Sequence, residues 1–265
     1  MVNKEELDSF ILSIPPKSDV LKETFAAVSS GDLVKAAKIA ETDEALANYL
    51  RNFVNKPIYF FKKEIKEVGQ IFGILGTNGT KELLHHYMMS LFSPNDWKLF
   101  NLNEKRFSDL QAMLSNYWKK IMEHEKLKSD DISAVISLLP AAIIVTEMLF
   151  SKYIDEVQTL REVKKLDYNT ILKRLVGLGL FDIAEKIGLK WEMNPKSINV
   201  LKAALGVKGC GDSNLCKLAR YMHIMFFYVL SQPEMLKAGL NDFLDLQLEF
   251  VEPVYDSFQE IVGLT

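Results

Sequence analysis

The chain reads as an all-α protein, a multi-helix bundle of two helical lobes inside one domain spanning 1–265. Three observations lead there. Apolar residues recur at i, i+3, i+4 and i+7 from end to end, while the alternation that marks half-buried strands is almost absent. Capping residues, prolines and glycines fall between those stripes at the spacing of short helices. The apolar share of 48% and charged share of 25% are those of a chain able to bury a core.

Taken in order, Leu21, Phe25 and Val28 form the first clear stripe, and Gly31 follows it as a stop. Ile65, Val68, Phe72 and Leu75 form the next, closed by Gly76. Ser93-Pro94 places a capping side chain before a proline suited to a first helical position. Phe107, Leu110, Leu114, Tyr117 and Ile121 make the cleanest stripe of all. Ser129, with Asp130 and Asp131 behind it, predicts the capped start of a long apolar helix reaching about Ile154. Asn194-Pro195 repeats the cap-and-proline signal, and Gly188 and Gly206 are expected stops. Asp242 and Asp245, among Phe243, Leu244, Leu246 and Leu248, predict an amphipathic C-terminal helix. Shorter elements up to about 100 and longer ones beyond divide the domain into lobes 11–100 and 101–265.

Ile132 to Phe150 (ISAVISLLPAAIIVTEMLF) is nearly long enough to span a bilayer. Glu147 inside it argues for a buried central helix and against membrane insertion, and Pro140 should bend or interrupt that helix. The opening residues are charged and lack the apolar run of a signal peptide. Two cysteines, Cys210 and Cys216, build no disulfide framework, and a cytoplasmic location is expected. A net charge of −3 offers no basic excess for phosphates, which disfavours a nucleic-acid partner.

No catalytic or metal-binding constellation emerges. His85 and His86 are adjacent, so on a helix they diverge by about 100° and cannot share one ion. His124 sits among Glu123, Glu125 and Lys126 on a solvated face, and His223 lies in an apolar helix, as a hydrogen-bonded core or subunit-contact residue. There is no HExxH pattern, no GxSxG elbow and no second cysteine pair for zinc. The glycines of GVKGCGDSNLC follow no strand, so they do not form a dinucleotide turn. No cofactor is expected.

Several short pieces in order resemble the HDOD family, the helical HD-related output domains of bacterial signalling proteins. Ile14-Pro15-Pro16 followed by Val20 is similar to its Leu-Pro-x-Leu-Pro opening. Asp43-Glu44-Ala45-Leu46-Ala47 resembles its Asp-Pro-x-Leu-Thr helix start. Leu50 through Asn55-Lys56-Pro57-Ile58-Tyr59 resembles the segment ending in Asn-Ser-x-x-Tyr, and Ile65 through Leu75-Gly76 the stretch ending in Leu-Gly. Trp118 looks like the tryptophan that opens the HD-derived region, and Trp191 through Pro195 like the Trp-x-Leu-Pro turn. Ser137-Leu138-Leu139-Pro140-Ala141 falls where relatives carry Gly-Leu-Leu-His-Asp, so Pro140 and Ala141 replace the metal-anchoring pair. Later histidine positions fall near Leu180 and Leu205.

The resemblance implies a non-enzymatic bacterial signal-transduction or regulatory domain that binds an unknown protein partner or a small ligand. The alternatives are a nucleotide-binding sensor and, lacking its ligands, a divergent HD-type metal-dependent phosphohydrolase. The segment from Asn55 to Lys63 is the expected binding wall, with Asn55, Tyr59, Phe60 and Phe61 as its residues, on a groove where the lobes meet. For the sensor reading, aromatics beside Lys62 and Lys63 would stack a base and neutralise its phosphates.

Overall fold

The computed structural model describes residues 2–55, 64–126, 132, 134–206 and 213–264, and no described residue is in a strand. The chain divides into two compact units, one of Met1–Ile14 with Pro94–Thr265, the other of Pro15–Ser93. The expected cap at Ser129–Asp131 and the residues Tyr59, Phe60, Phe61, Lys62, Lys63 and Cys210 lie outside the described residues.

The smaller unit holds α2 (Asp19–Ser29), α3 (Leu33–Ala40), α4 (Glu44–Val54) and α5 (Val68–Ser90), which follow α1 (Lys4–Ser13) of the larger unit. Ser18, Asp32 and Asp43 cap α2, α3 and α4, each side chain accepting a backbone N–H of the first turn. α2 and α3 pack on each other and both lie against α5, as does α4. Gly76, at φ +65° and ψ −173°, breaks α5 into two helices end to end, the conformation a glycine adopts most cheaply.

The larger unit continues with α6 (Glu104–His124), capped by Asn103. A 3₁₀ turn (Ala134–Ser137) leads into α7 (Leu138–Phe150), and a second (Ser151–Tyr153) into α8 (Ile154–Glu162). Then come α9 (Tyr168–Val176), α10 (Leu180–Lys190), α11 (Pro195–Ala204), α12 (Asn214–Leu230) and α13 (Pro233–Lys237). α14 (Leu248–Val251) and α15 (Tyr255–Val262) close the chain. α7 is the centre: every residue in it except Met148 is buried, against α10, α1 and α6. Burying each of its leucines and isoleucines is worth roughly 1.5–3 kcal/mol. The stretch 135–162 would pass for a membrane span by length and composition, yet 83% of its apolar window is covered inside the structure.

Five expectations need correction. The long apolar helix does not run unbroken from Ser129, because α7 begins only at Leu138 and Pro140 sits in its first turn, where no intrahelical donor is lost. Ser93-Pro94 starts no helix, since the Ser93 hydroxyl donates back to the Met89 carbonyl at 2.9 Å. Gly188 ends nothing: inside α10, a Cβ there would meet Ile198 at 2.6 Å and Leu138 at 2.9 Å, so the glycine serves close helix packing. Asp242 and Asp245 lie in a non-helical segment before α14. Cys216, in the first turn of α12, is disulfide-bonded, against the expectation of reduced thiols.

Candidate functional site

Asn55 is the one expected binding residue within the described chain. It follows α4, and its side-chain amide closes on Ile65 in both directions. Nδ2 donates to the Ile65 carbonyl at 2.8 Å, and the Ile65 N–H donates to Oδ1 at 2.8 Å. Nδ2 also reaches the Arg51 carbonyl at 2.9 Å. Arg51 extends the clamp, its Nε donating to the Lys66 carbonyl at 2.7 Å. Asn55 therefore holds together the two ends of the 56–63 segment, which accounts for an asparagine at that position. Close by on α4 and α5, Tyr49 stacks on Phe53 and tilts against Tyr87, and Phe53 meets the edge of His86.

In the larger unit the positions aligned with a metal-anchoring pair, Pro140 and Ala141, are wholly buried in the first turn of α7. Among the described residues no group of three or more His, Cys, Asp or Glu side chains could hold a metal ion. Leu180 and Leu205 do face one small cleft, with Asn169, His223 and Asp245 around it, but Pro140 and Ala141 do not line it. The cleft measures about 40 Å³, room for a few water molecules and not for a nucleotide.

The polar groups of that cleft are spent on each other. His223 is 1% exposed; its Nδ1 lies 2.8 Å from the Ala204 carbonyl, and its Nε2 accepts the Gln247 N–H at 3.2 Å. That pairing requires the neutral ring with the proton on Nδ1, and burial lowers its pKa. Asn169 donates to Asp245 at 2.7 Å, and Arg161 pairs with Asp242 while its guanidinium lies 4.0 Å above the Tyr168 ring. Asp242 and Asp245 thus fix the segment before α14 to α8 and α9.

Two carboxylates missed by sequence reasoning as anything but surface or insertion signals organise the same unit. Glu147 is fully buried and accepts three consecutive backbone N–H groups, from Lys98 at 2.7 Å, Leu99 at 3.0 Å and Phe100 at 3.0 Å. Glu125 accepts from Lys217 at 2.6 Å, from Tyr221 at 2.8 Å and from His124 at 3.2 Å. Burial alone would raise its pKa, but those three donors hold it below the usual carboxylate range. Tyr221, buried and tied to that carboxylate, is pushed up to about 12. Among the described residues no metal-binding group accompanies either carboxylate, and each joins two elements of the bundle.

The family model described as HDOD domain matches residues 14–204. A solved structure described as an HDOD domain protein of unknown function from Geobacter sulfurreducens has the same fold. It is 14% identical with a TM-score of 0.59, and the match covers 98% of this chain and 96% of that one. No curated protein matches.

Proposed function

The chain belongs to the HDOD family, and from that membership we propose that it is a regulatory domain that works by binding and catalyses no reaction. The observation that carries this reading is the filling of the aligned metal positions: Pro140 and Ala141 are buried in α7, and Leu180 and Leu205 offer only hydrocarbon. A hydrolytic metal needs several ligands converging with one position left open for water. The occupant we propose is a protein partner or small ligand, with the 56–63 segment as the contact and the Asn55 and Arg51 clamps fixing its ends. A bacterial, cytoplasmic setting follows from the family. The Cys216 disulfide is unusual for a reducing cytosol, so that placement rests on the family alone.

The test is hydrolysis of bis-p-nitrophenyl phosphate and of cyclic dinucleotides by purified protein supplied with manganese, iron or magnesium. The expected rate is that of the buffer. Turnover with stoichiometric metal, lost when Leu180 and Leu205 are changed to Phe in a folded protein, would return the chain to the hydrolases.

A further inference from the structure

Residues 244–247 run without helical structure along the larger unit and form one wall of the cleft beside His223. Phe243 before them is wholly buried, stacked on Tyr168 and edge-on to Phe100, and Leu248 after them begins α14. The four residues between are therefore a strap stretched from one anchor to the next. Asp245 and Gln247 on it are exposed, whereas His223, which the strap touches, is 1% exposed. Two polar contacts hold the strap down. The Asn169 amide donates to the Asp245 carboxylate at 2.7 Å, and the Gln247 N–H donates to His223 Nε2 at 3.2 Å. Gly206, at φ +79°, lets the strap lie close, since a Cβ there would meet the Gln247 side chain at 3.1 Å.

The second contact works with only one protonation state of the ring. Nδ1 faces the Ala204 carbonyl at 2.8 Å and carries the proton of the neutral ring, which leaves on Nε2 the lone pair that Gln247 needs. A further proton on Nε2 sets two N–H groups against each other, and one of them has to leave. The ring is tied to α11 through Ala204 and packed against Phe181 of α10 and Phe250 of α14, while Gln247 lies at the surface, so the strap is the part that moves. The Asp245 main chain also bears on the ring and can accept the new proton. Of the charged groups that face this corner, Asp245 on the strap and Lys173 on α9 line the cleft. Asp182 of α10 accepts the Gly179 N–H in its wall at 2.8 Å, and Arg220, on α12 with the histidine, lies 5.9 Å from the centre of the Phe250 ring. Burial lowers the pKa of the latched ring, with the Ala204 carbonyl and Asp245 opposing. A ring released to water regains its ordinary 6.5, so acid favours the released strap.

We propose that the 244–247 strap is a proton-operated latch: neutral His223 holds it shut through the Gln247 N–H, and protonated His223 frees it and opens the cleft over Asn169 and Lys173. The latch lies wholly in the larger unit and does not depend on the contact assigned above to the 56–63 segment.

The test follows the full chain by nuclear magnetic resonance from about pH 7.5 to 5, the range that spans an ordinary imidazole titration. Protection of the Gln247 amide, corrected for the pH dependence of exchange itself, should be level near neutrality and then fall, approaching about tenfold per pH unit. Amides inside α7 should stay better protected than Gln247 throughout, which marks the opening as local. His223→Gln should remove the pH dependence at Gln247. Gln247→Pro deletes the latching N–H at an exposed position and keeps the histidine, whose ring should then titrate closer to 6.5 than in wild type. This second variant decides the matter where His223→Gln does not fold. A Gln247 amide whose protection ignores pH, or that exchanges only together with α7, would overturn the latch. So would a ring midpoint unmoved in Gln247→Pro, or a pH-dependent loss that persists in a folded His223→Gln.

Discussion

Both units mix saturated and unsaturated buried polar groups. In the larger one, Glu147 and His223 are fully paired, while Asp242 Oδ1 and Trp118 Nε1 are buried without a hydrogen-bond partner among the described residues. Glu147 spends both carboxylate oxygens on Lys98, Leu99 and Phe100, and His223 spends both ring nitrogens on Ala204 and Gln247. In the smaller one, buried Thr24 donates to the Val20 carbonyl at 2.7 Å, while the equally buried Thr80 hydroxyl has no hydrogen-bond partner among the described residues. Desolvated groups with complete pairing hold a fold together, whereas desolvated groups without it cost stability that a ligand can restore.

The comparison breaks most visibly at Glu147. Replacing it with leucine leaves three adjacent backbone N–H groups beneath the 94–103 segment without acceptors. Each buried N–H left without an acceptor typically costs about 1–3 kcal/mol, so the three together cost about 3 kcal/mol or more. Chemical denaturation should register a loss of that size for Glu147→Leu. Glu147→Gln, which keeps one acceptor oxygen and turns an N–H₂ toward donors, should recover only part of it. A Glu147→Leu chain of wild-type stability would mean that these bonds hold nothing.

The histidines sharpen the same contrast through pH. Burial, then Lys17, His86 and Lys81, lower His85 to about 3, with only its bond to the Lys81 carbonyl opposing them. His223 is lowered by burial as well, but its bond to Ala204 and the neighbouring Asp245 pull it back up. In both cases the unfolded chain binds a proton that the folded chain refuses. Stability is therefore intact above the unfolded value of 6.5 and is lost as pH falls, down to about 3 for His85. For His85 the slope should approach about 1.4 kcal/mol per pH unit by pH 5, where the unfolded ring is almost fully protonated, and His223 should add a slope of the same sign. His85→Leu and His223→Leu should each flatten the slope in that window, and unchanged slopes would show the rings already charged in the fold.

How much of this was legible beforehand follows from the range over which each signal acts. The α6 stripe, the helix start at Asp43, the cap Asn194 and the burial of 138–150 depend on residues within a turn or two, and all stand in the structure as read. So does the family, carried by motifs in sequence order. What could not be read depends on distant partners. Glu147 looked like a penalty on membrane insertion because its donors lie 47 to 49 residues earlier. Those donors need the 94–100 backbone non-helical, which is why Ser93-Pro94 fails as a helix start. Gly188 reads as a stop until Ile198 and Leu138 are seen against it. Asp242 and Asp245 read as the polar face of a helix until Arg161 and Asn169 claim them. For the candidate contact, Asn55 was singled out but its partner Ile65 was not, since nothing local ties an amide to a residue ten positions on.

The smallest expected effect belongs to that clamp, which ties Asn55 to Ile65. Asn55→Ala removes three half-buried hydrogen bonds that water can partly replace, so the net loss should be about 1 kcal/mol. The informative reading is local. Hydrogen exchange at the Ile65 amide, which now donates to Asn55 Oδ1, should accelerate, while amides inside α2 and α3 keep their protection. Asn55→Asp retains an acceptor for the Ile65 N–H but sets a carboxylate against the carbonyls of Arg51 and Ile65. It should therefore protect the Ile65 amide yet stabilise no better than alanine. If the Ile65 amide exchanges at the wild-type rate in Asn55→Ala, the ends of the 56–63 segment are held by Arg51 and Lys66 alone, and Asn55 returns to the residues free to meet a partner.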